Sequence, residues 1–144
     1  MEKVQLIATS TFGMESIVAQ EIRSLGYENL KVDNGKIALT ADLEAICRLN
    51  LWLRTSDRVR LLVGEFEAKT FEELFEKTKA LPWAYILPEN AAFPVEGKSV
   101  KSTLFSVPHC QSIVKKAVVE SLKKNTSVHG LKKQALCIKL KLPF

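Results

Sequence analysis

Residues 98–124, KSVKSTLFSVPHCQSIVKKAVVESLKK, place Lys98, Ser99, Lys101 and Ser102 in one short stretch and Lys115, Lys116 and Lys123 in the stretch that follows. Cations and hydroxyls next to a helix start suit contact with phosphate. The lysines supply charge, while hydroxyls and unpaired backbone N–H groups donate hydrogen bonds. Contacts of this kind hold a polyanion without reading its sequence, so a structured RNA recognised by shape and backbone fits better than a specific single-stranded motif. Phe105 is placed either to stack on a base or to anchor the loop-to-helix junction in the core, and the core anchor is the expected role.

The charge distribution supports the same chemistry. Up to Gly97 the chain has 11 Lys and Arg against 15 Asp and Glu, net −4; beyond it ten lysines face a single acid, Glu120, net +9. An anionic partner would therefore dock on the C-terminal half, and the alternative is a solvated lysine-rich surface. A membrane surface is the poorer partner, because the basic helix lacks the bulky apolar face of interfacial helices. No apolar run approaches the roughly 20 residues that span a bilayer. Met1 to Leu6 includes Glu2 and Lys3, unlike a secretory leader, so the cytoplasm is the expected location.

Other chemistries find weaker support. Cys47, Cys110 and Cys137 are widely spaced and form no CxxC pair, which fits reduced thiols rather than a disulfide framework. His109, Cys110, His129 and Cys137 match no common zinc spacing. His109 and Cys110 are adjacent in sequence, which does not by itself bring a nucleophile and its base together. Glu72 and Glu73 fall on an exposed helix face or cap, and the lone Gly13 lacks the glycine spacing of a phosphate-cradling loop. No catalytic, metal-binding or cofactor-binding residue is expected in this chain.

The elements that position these residues follow from apolar periodicity. VQLIATST opens as a buried strand, and Met14 to Leu25 repeats apolar residues at helical spacing before Gly26 stops the helix. Asp33-Asn34-Gly35 marks a hairpin, with Asn-Gly supplying positive φ. Asp42 caps a helix through Leu53, and RVRLLVGEF reads as a fourth strand. The order strand, helix, strand, strand, helix, strand is the split βαβ pattern of a ferredoxin-like unit. Thr70 and Glu73 form a capping box for a third helix that Pro82-Trp83 ends. AYILPENA reads as a loop with a short turn and AFPVEGKSV as a strand entering a loop. A fourth helix runs from Ser106 or Pro108 to about Lys124, burying Val114, Ala117, Val118, Ser121 and Leu122 and turning its lysines outward. ALCIKLKL, 135–142, alternates as a strand whose open edge invites pairing with another chain, so a dimerisation or protein-interaction fragment is the alternative to RNA binding.

Three stretches, STFGMESIVAQEIRSLGY, LNLWLRTSDRVRLLVGEFEAKTFEELFEKTKALPW and FPVEGKSVKSTLFSVPHCQSIVKKAVVESLKK, together resemble the N-terminal region of bacterial THUMP-containing RNA methyltransferases. Characterised members modify a guanine N2 of large-subunit ribosomal RNA, and the group is often labelled as adenine-specific DNA methylases. The resemblance covers about residues 4–127. It implies an α+β chain: a ferredoxin-like βαββαβ domain over 1–66 and a THUMP RNA-binding domain over 67–144, incomplete at its C-terminus. In the family a Rossmann-like domain using S-adenosylmethionine follows, and its Gly-rich loop and Asn/Asp-Pro-Pro-Tyr motif are not in this sequence. The resemblance therefore implies a substrate-capture region acting with a methyltransferase domain or chain. It carries RNA contact to Lys98, Ser99, Lys101, Ser102, Lys115 and Lys116, and for Trp52, Arg54 and Arg58 it implies a structural role at an interdomain junction ahead of the alternative, RNA contact. After Ser127 the resemblance stops.

Overall fold

The computed structural model describes residues 3–87, 93–98, 103–125 and 138–139. The chain divides into two compact units, Met1–Val63 and Gly64–Phe144.

The first unit runs β1 (Val4–Ser10), α1 (Glu15–Ser24), β2 (Lys31–Asp33), β3 (Lys36–Ala41), α2 (Glu44–Trp52) and β4 (Ser56–Leu61). Its sheet has the order β2-β3-β1-β4, and every neighbouring pair is antiparallel. Each of the two split βαβ halves thus has a strand of the other between its own strands, which is the ferredoxin-like arrangement. Alternation decides which side is covered. Leu6 pairs with Leu39 and Leu61, and Ala8 with Ile37 and Val59, so these side chains share one face. Val18, Ala19 and Ile22 of α1, with Ala45 and Leu49 of α2, close that face into a core.

Local signals set the joints. Gly26 takes φ +91° just past α1, a left-handed conformation that costs glycine little. In the Asn34-Gly35 turn only Gly35 has positive φ, at +72°, so the turn differs from the doubly left-handed form expected of Asn-Gly. The Asp42 carboxylate accepts the Ala45 N–H at 2.9 Å and caps the first turn of α2, although the regular helix begins at Glu44. β4 starts at Ser56, earlier than RVRLLVGEF suggests, because the Ser56 hydroxyl donates to the Thr9 carbonyl at 2.8 Å and Ser10 pairs with Ser56. Glu15 is more than a surface charge: its carboxylate accepts the N–H groups of Gly13 (2.8 Å) and Gly35 (2.9 Å), joining the first turn to the hairpin.

The second unit contains α3 (Phe71–Lys79), α4 (Trp83–Ile86), β5 (Val95–Glu96), α5 (Val107–Asn125) and β6 (Ile138–Lys139). β6 pairs in parallel with β5, Val95 with Ile138 and Glu96 with Lys139. The remainder of the strand expected over 135–142 lies outside the described residues. The Thr70 hydroxyl accepts the Glu73 N–H at 3.2 Å, and the Glu73 carboxylate accepts the Lys69 N–H at 2.8 Å, one residue before the usual capping-box partner. The stretch expected to be a loop after Trp83 begins instead as α4. Pro82 precedes it, the Leu87 N–H closes its turn on the Trp83 carbonyl, and the fully buried Trp83 holds it in the core.

Thr78 is also fully buried, and its hydroxyl has no hydrogen-bond partner among the described residues. A desolvated, unpaired hydroxyl costs about 1–3 kcal/mol. Thr78→Val keeps the shape and removes the polar atom, so it is expected to raise the denaturant midpoint of this unit by the equivalent of about 1 kcal/mol.

Candidate nucleic-acid interface

The lysine-bearing helix is held by α3. The Phe71 ring meets His109 edge-on at 4.5 Å between centroids, Lys116 Nζ lies 6.0 Å from the Phe75 centroid, and Lys79 Nζ donates to Glu120 at 3.0 Å. These contacts advance along both helices together, so α3 and α5 run side by side in the same direction. Cys110, Val114, Ala117, Val118, Ser121 and Leu122 are buried, and that stripe fixes which face of α5 remains outside. Lys115, Lys116 and Lys123 are exposed on the other side. Desolvation pushes the Cys110 thiol above its ordinary pKa, which keeps it protonated, and His109 beside it points to the surface.

Lys98 reaches the same helix through Gly97. A Cβ built on Gly97 would sit 3.2 Å from Gln111 Cγ and 3.3 Å from Val107 Cγ1, so glycine lets the strand-to-loop backbone pass close to the first turns of α5. Lys98 follows it and is exposed. Ser99, Lys101 and Ser102 lie outside the described residues.

Sequence reasoning missed how Glu120 is used. It is hydrogen-bonded to Lys79, a residue 41 positions away. That bond, then attraction from Lys79, Lys116 and Lys123, holds its carboxyl below the ordinary carboxylate value against some desolvation. The ion pairs among the described residues are Lys36–Asp33 and Lys79–Glu120, and neither uses a lysine of α5. The outward lysines therefore keep their charge available for a partner. Phe105 corrects the sequence reading: it is 83% exposed, and its neighbour Leu104, 5% exposed, is the core anchor at this junction.

The LWLRTSDRV motif sits in the first unit. Trp52 is 65% exposed, and Arg54 and Arg58 are exposed. What the motif visibly does is local: the Glu21 carboxylate accepts the Arg54 N–H (3.2 Å), the Thr55 N–H (3.2 Å) and the Thr55 hydroxyl (2.8 Å), tying α1 to the start of β4. Desolvation raises the Glu21 pKa, and these donors more than offset it, so the group stays below its ordinary value. Glu21→Ala is expected to lower the stability of the first unit by about 2 kcal/mol, read as a shifted denaturant midpoint.

Glu15, Glu73 and Glu120 are likewise held below 4.5, led by the Gly35 N–H, the Lys69 N–H and the Lys79 ammonium respectively. For depressed carboxyls the stabilisation is complete above the unfolded value of 4.5 and is lost as pH falls through each lower folded value. Stability should therefore be flat from neutrality to about pH 5 and decline below pH 4.5. Glu15→Gln should show a shallower acid limb in melts taken across that range.

No group of three metal-capable side chains comes together among the described residues, and no helix of the described residues is long and apolar enough to cross a membrane. The geometry offers charge and hydrogen-bond donors on a rigid helix.

Comparison with known proteins agrees with this division. Residues 5–60 match the RlmL ferredoxin-like domain, and residues 68–137 match the THUMP domain. The chain is an RlmL-type ferredoxin-like domain followed by a THUMP domain. The THUMP match extends to residue 137, beyond Ser127 where the quoted resemblance stops. A Bacillus subtilis protein described as "Putative RNA methyltransferase YpsC" is 63% identical over 123 residues, covering 85% of this chain and 32% of that protein. The ribosomal RNA large subunit methyltransferase K/L of Pseudomonas putida W619 is 29% identical over 126 residues, covering 85% of this chain and 17% of that enzyme. A crystal structure from Listeria monocytogenes, described as a "predicted N6-adenine-specific DNA methylase", superposes with a TM-score of 0.91 at 52% identity, covering 98% of this chain and 38% of the other. The chain thus spans between 17% and 38% of the length of these relatives and corresponds to their N-terminal part.

Proposed function

We propose that this ferredoxin-like and THUMP pair is the RNA-capturing region of an S-adenosylmethionine-dependent RNA methyltransferase, with structured ribosomal RNA as its partner. The observation that carries the reading is the one-sided charge of α5: Lys115, Lys116 and Lys123 face outward while Glu120, the one acid beyond Gly97, is held by Lys79. Lys98, Ser99, Lys101 and Ser102 extend the same RNA-contacting set into the preceding loop. The two domains are assigned to residues 1–66 and 67–144, and the enzyme to the cytoplasm, where its RNA is made. Methyl transfer and the cofactor belong to the methyltransferase domain of the longer enzyme, and no residue of this chain is given a catalytic role. Nothing among the described residues favours dimerisation through the C-terminal strand, since Ile138–Lys139 is paired within the chain.

Fluorescence anisotropy with a labelled, structured fragment of large-subunit ribosomal RNA tests the reading. Roughly micromolar affinity that falls steeply with added salt is expected, because each neutralised phosphate releases counterions. Absence of binding at low salt, or binding indifferent to salt, would overturn it.

A further inference from the structure

We infer that the uncovered face of the four-stranded sheet in the first unit is a second docking surface for the RNA phosphate backbone, separate from the α5 lysines. The inference rests on the RNA-binding reading above. Summed to Gly97 the chain is acidic, and that sum conceals how charge is divided between two layers.

The registry lays out the uncovered face. Lys31 pairs with Ala38, Ala38 with Ile7, and Ile7 with Arg60, so one straight row crosses all four strands with a cation at each end. The next row places Asp33 opposite Lys36 and Lys36 opposite Thr9, whose hydroxyl contacts the Arg58 backbone at 3.2 Å. Arg58 precedes the core residue Val59 and by alternation joins this face. The side chains of both rows are exposed or half-buried, and none is buried. Four cations thus share the face with two acids: Asp33, already 3.6 Å from Lys36, and the exposed Asp57, which the register shift between Ala8 and Ser10 sets beside Arg58 opposite Thr9. The acids Glu15, Glu21, Asp42 and Glu44 lie instead on α1, on α2 or at the α2 cap.

Charge complementarity selects the occupant. Four cations and a threonine hydroxyl suit phosphate oxygens. The two rows contain no aromatic side chain on which a base could stack, so the contact is with backbone rather than sequence. The apolar side chains of these two rows are only Ile7 and Ala38, too few to insert into a lipid surface.

The test pairs two doubly substituted chains with the same change in net charge. Lys31→Glu with Arg58→Glu alters exposed positions of the sheet face; Arg23→Glu with Arg48→Glu alters exposed positions of the helices on the other side. Both are first checked for unchanged circular dichroism and melting, and Lys31→Ala with Arg58→Ala replaces the first pair if its fold is disturbed. Anisotropy with the same ribosomal RNA fragment should show the sheet-face pair weakened at least about tenfold near physiological salt, with the salt slope reduced by about two. The helix-side pair should change affinity less than about threefold. Equal weakening by both pairs, or an unchanged affinity in the sheet-face pair while α5 lysine substitutions abolish binding, would overturn the sheet-face proposal and leave the α5 reading standing. Failure of the unsubstituted chain to bind would overturn both.

Discussion

Trp83→Ala is expected to cost the second unit about 3–5 kcal/mol, the largest loss expected from one side chain among the described residues. Trp83 is fully buried and is the largest of the fully buried side chains among the described residues. Its indole N–H donates to the Thr78 carbonyl at 2.6 Å, which locks the turn after α3 onto the α4 segment. Alanine removes both the packing and the bond and leaves a cavity that the surrounding helices only partly close. Domains of this size have total stabilities of about 5–15 kcal/mol, so much of the second unit would be unfolded near 37 °C. Trp83→Phe keeps most of the apolar surface and should cost clearly less. Chemical denaturation followed by far-ultraviolet circular dichroism separates the two. A loss below about 1 kcal/mol for the alanine variant would show that Trp83 does not hold this unit together.

The second large effect concerns binding. Lys98→Glu, Lys115→Glu and Lys116→Glu combined are expected to weaken the ribosomal RNA complex roughly 30- to 100-fold and to reduce its salt slope by about three. All three positions are exposed; Lys98→Glu and Lys115→Glu should change stability little, whereas Lys116→Glu also gives up the approach of its ammonium to the Phe75 ring. Reversal at Lys79 would act differently. Its ammonium is bound to Glu120 and lies 5.2 Å from the Phe75 ring centroid, so its replacement should disturb the α3–α5 packing as well as the charge. Reading melting temperature beside affinity distinguishes the two kinds of variant.

What the sequence disclosed depended on the range of the interaction. Gly26, the Asn34-Gly35 turn and the Asp42 cap act within a few residues and made the element order of the ferredoxin-like unit legible, as the Thr70–Glu73 pair did for the start of α3. The apolar stripe of α5 was equally legible, because helical spacing alone places Val114, Ala117, Val118, Ser121 and Leu122 together. The errors lie where neighbours far along the chain decide. Leu104 and Phe105 are adjacent apolar residues ahead of a helix, and no periodicity in the loop says which of them turns inward. The Lys79–Glu120 bond joins separate helices, and the clamp of Glu21 on Thr55 spans 34 positions. α4 was hidden because Pro82 correctly signals the end of α3, while the buried indole of Trp83 restarts a helix in the next residue. The basic sheet face was concealed by averaging over a half-chain, since only strand pairing shows that Lys31 and Arg60 end the same row.

Lysine modification read residue by residue addresses the central claim directly. The chain would be treated with an amine-acylating reagent, with and without the structured ribosomal RNA fragment, and the extent of modification at each lysine measured by mass spectrometry. The account predicts that RNA slows modification of Lys98, Lys115, Lys116 and Lys123, while Lys79, already paired with Glu120, reacts slowly in both conditions. Bound RNA that leaves the α5 lysines as reactive as before would contradict it.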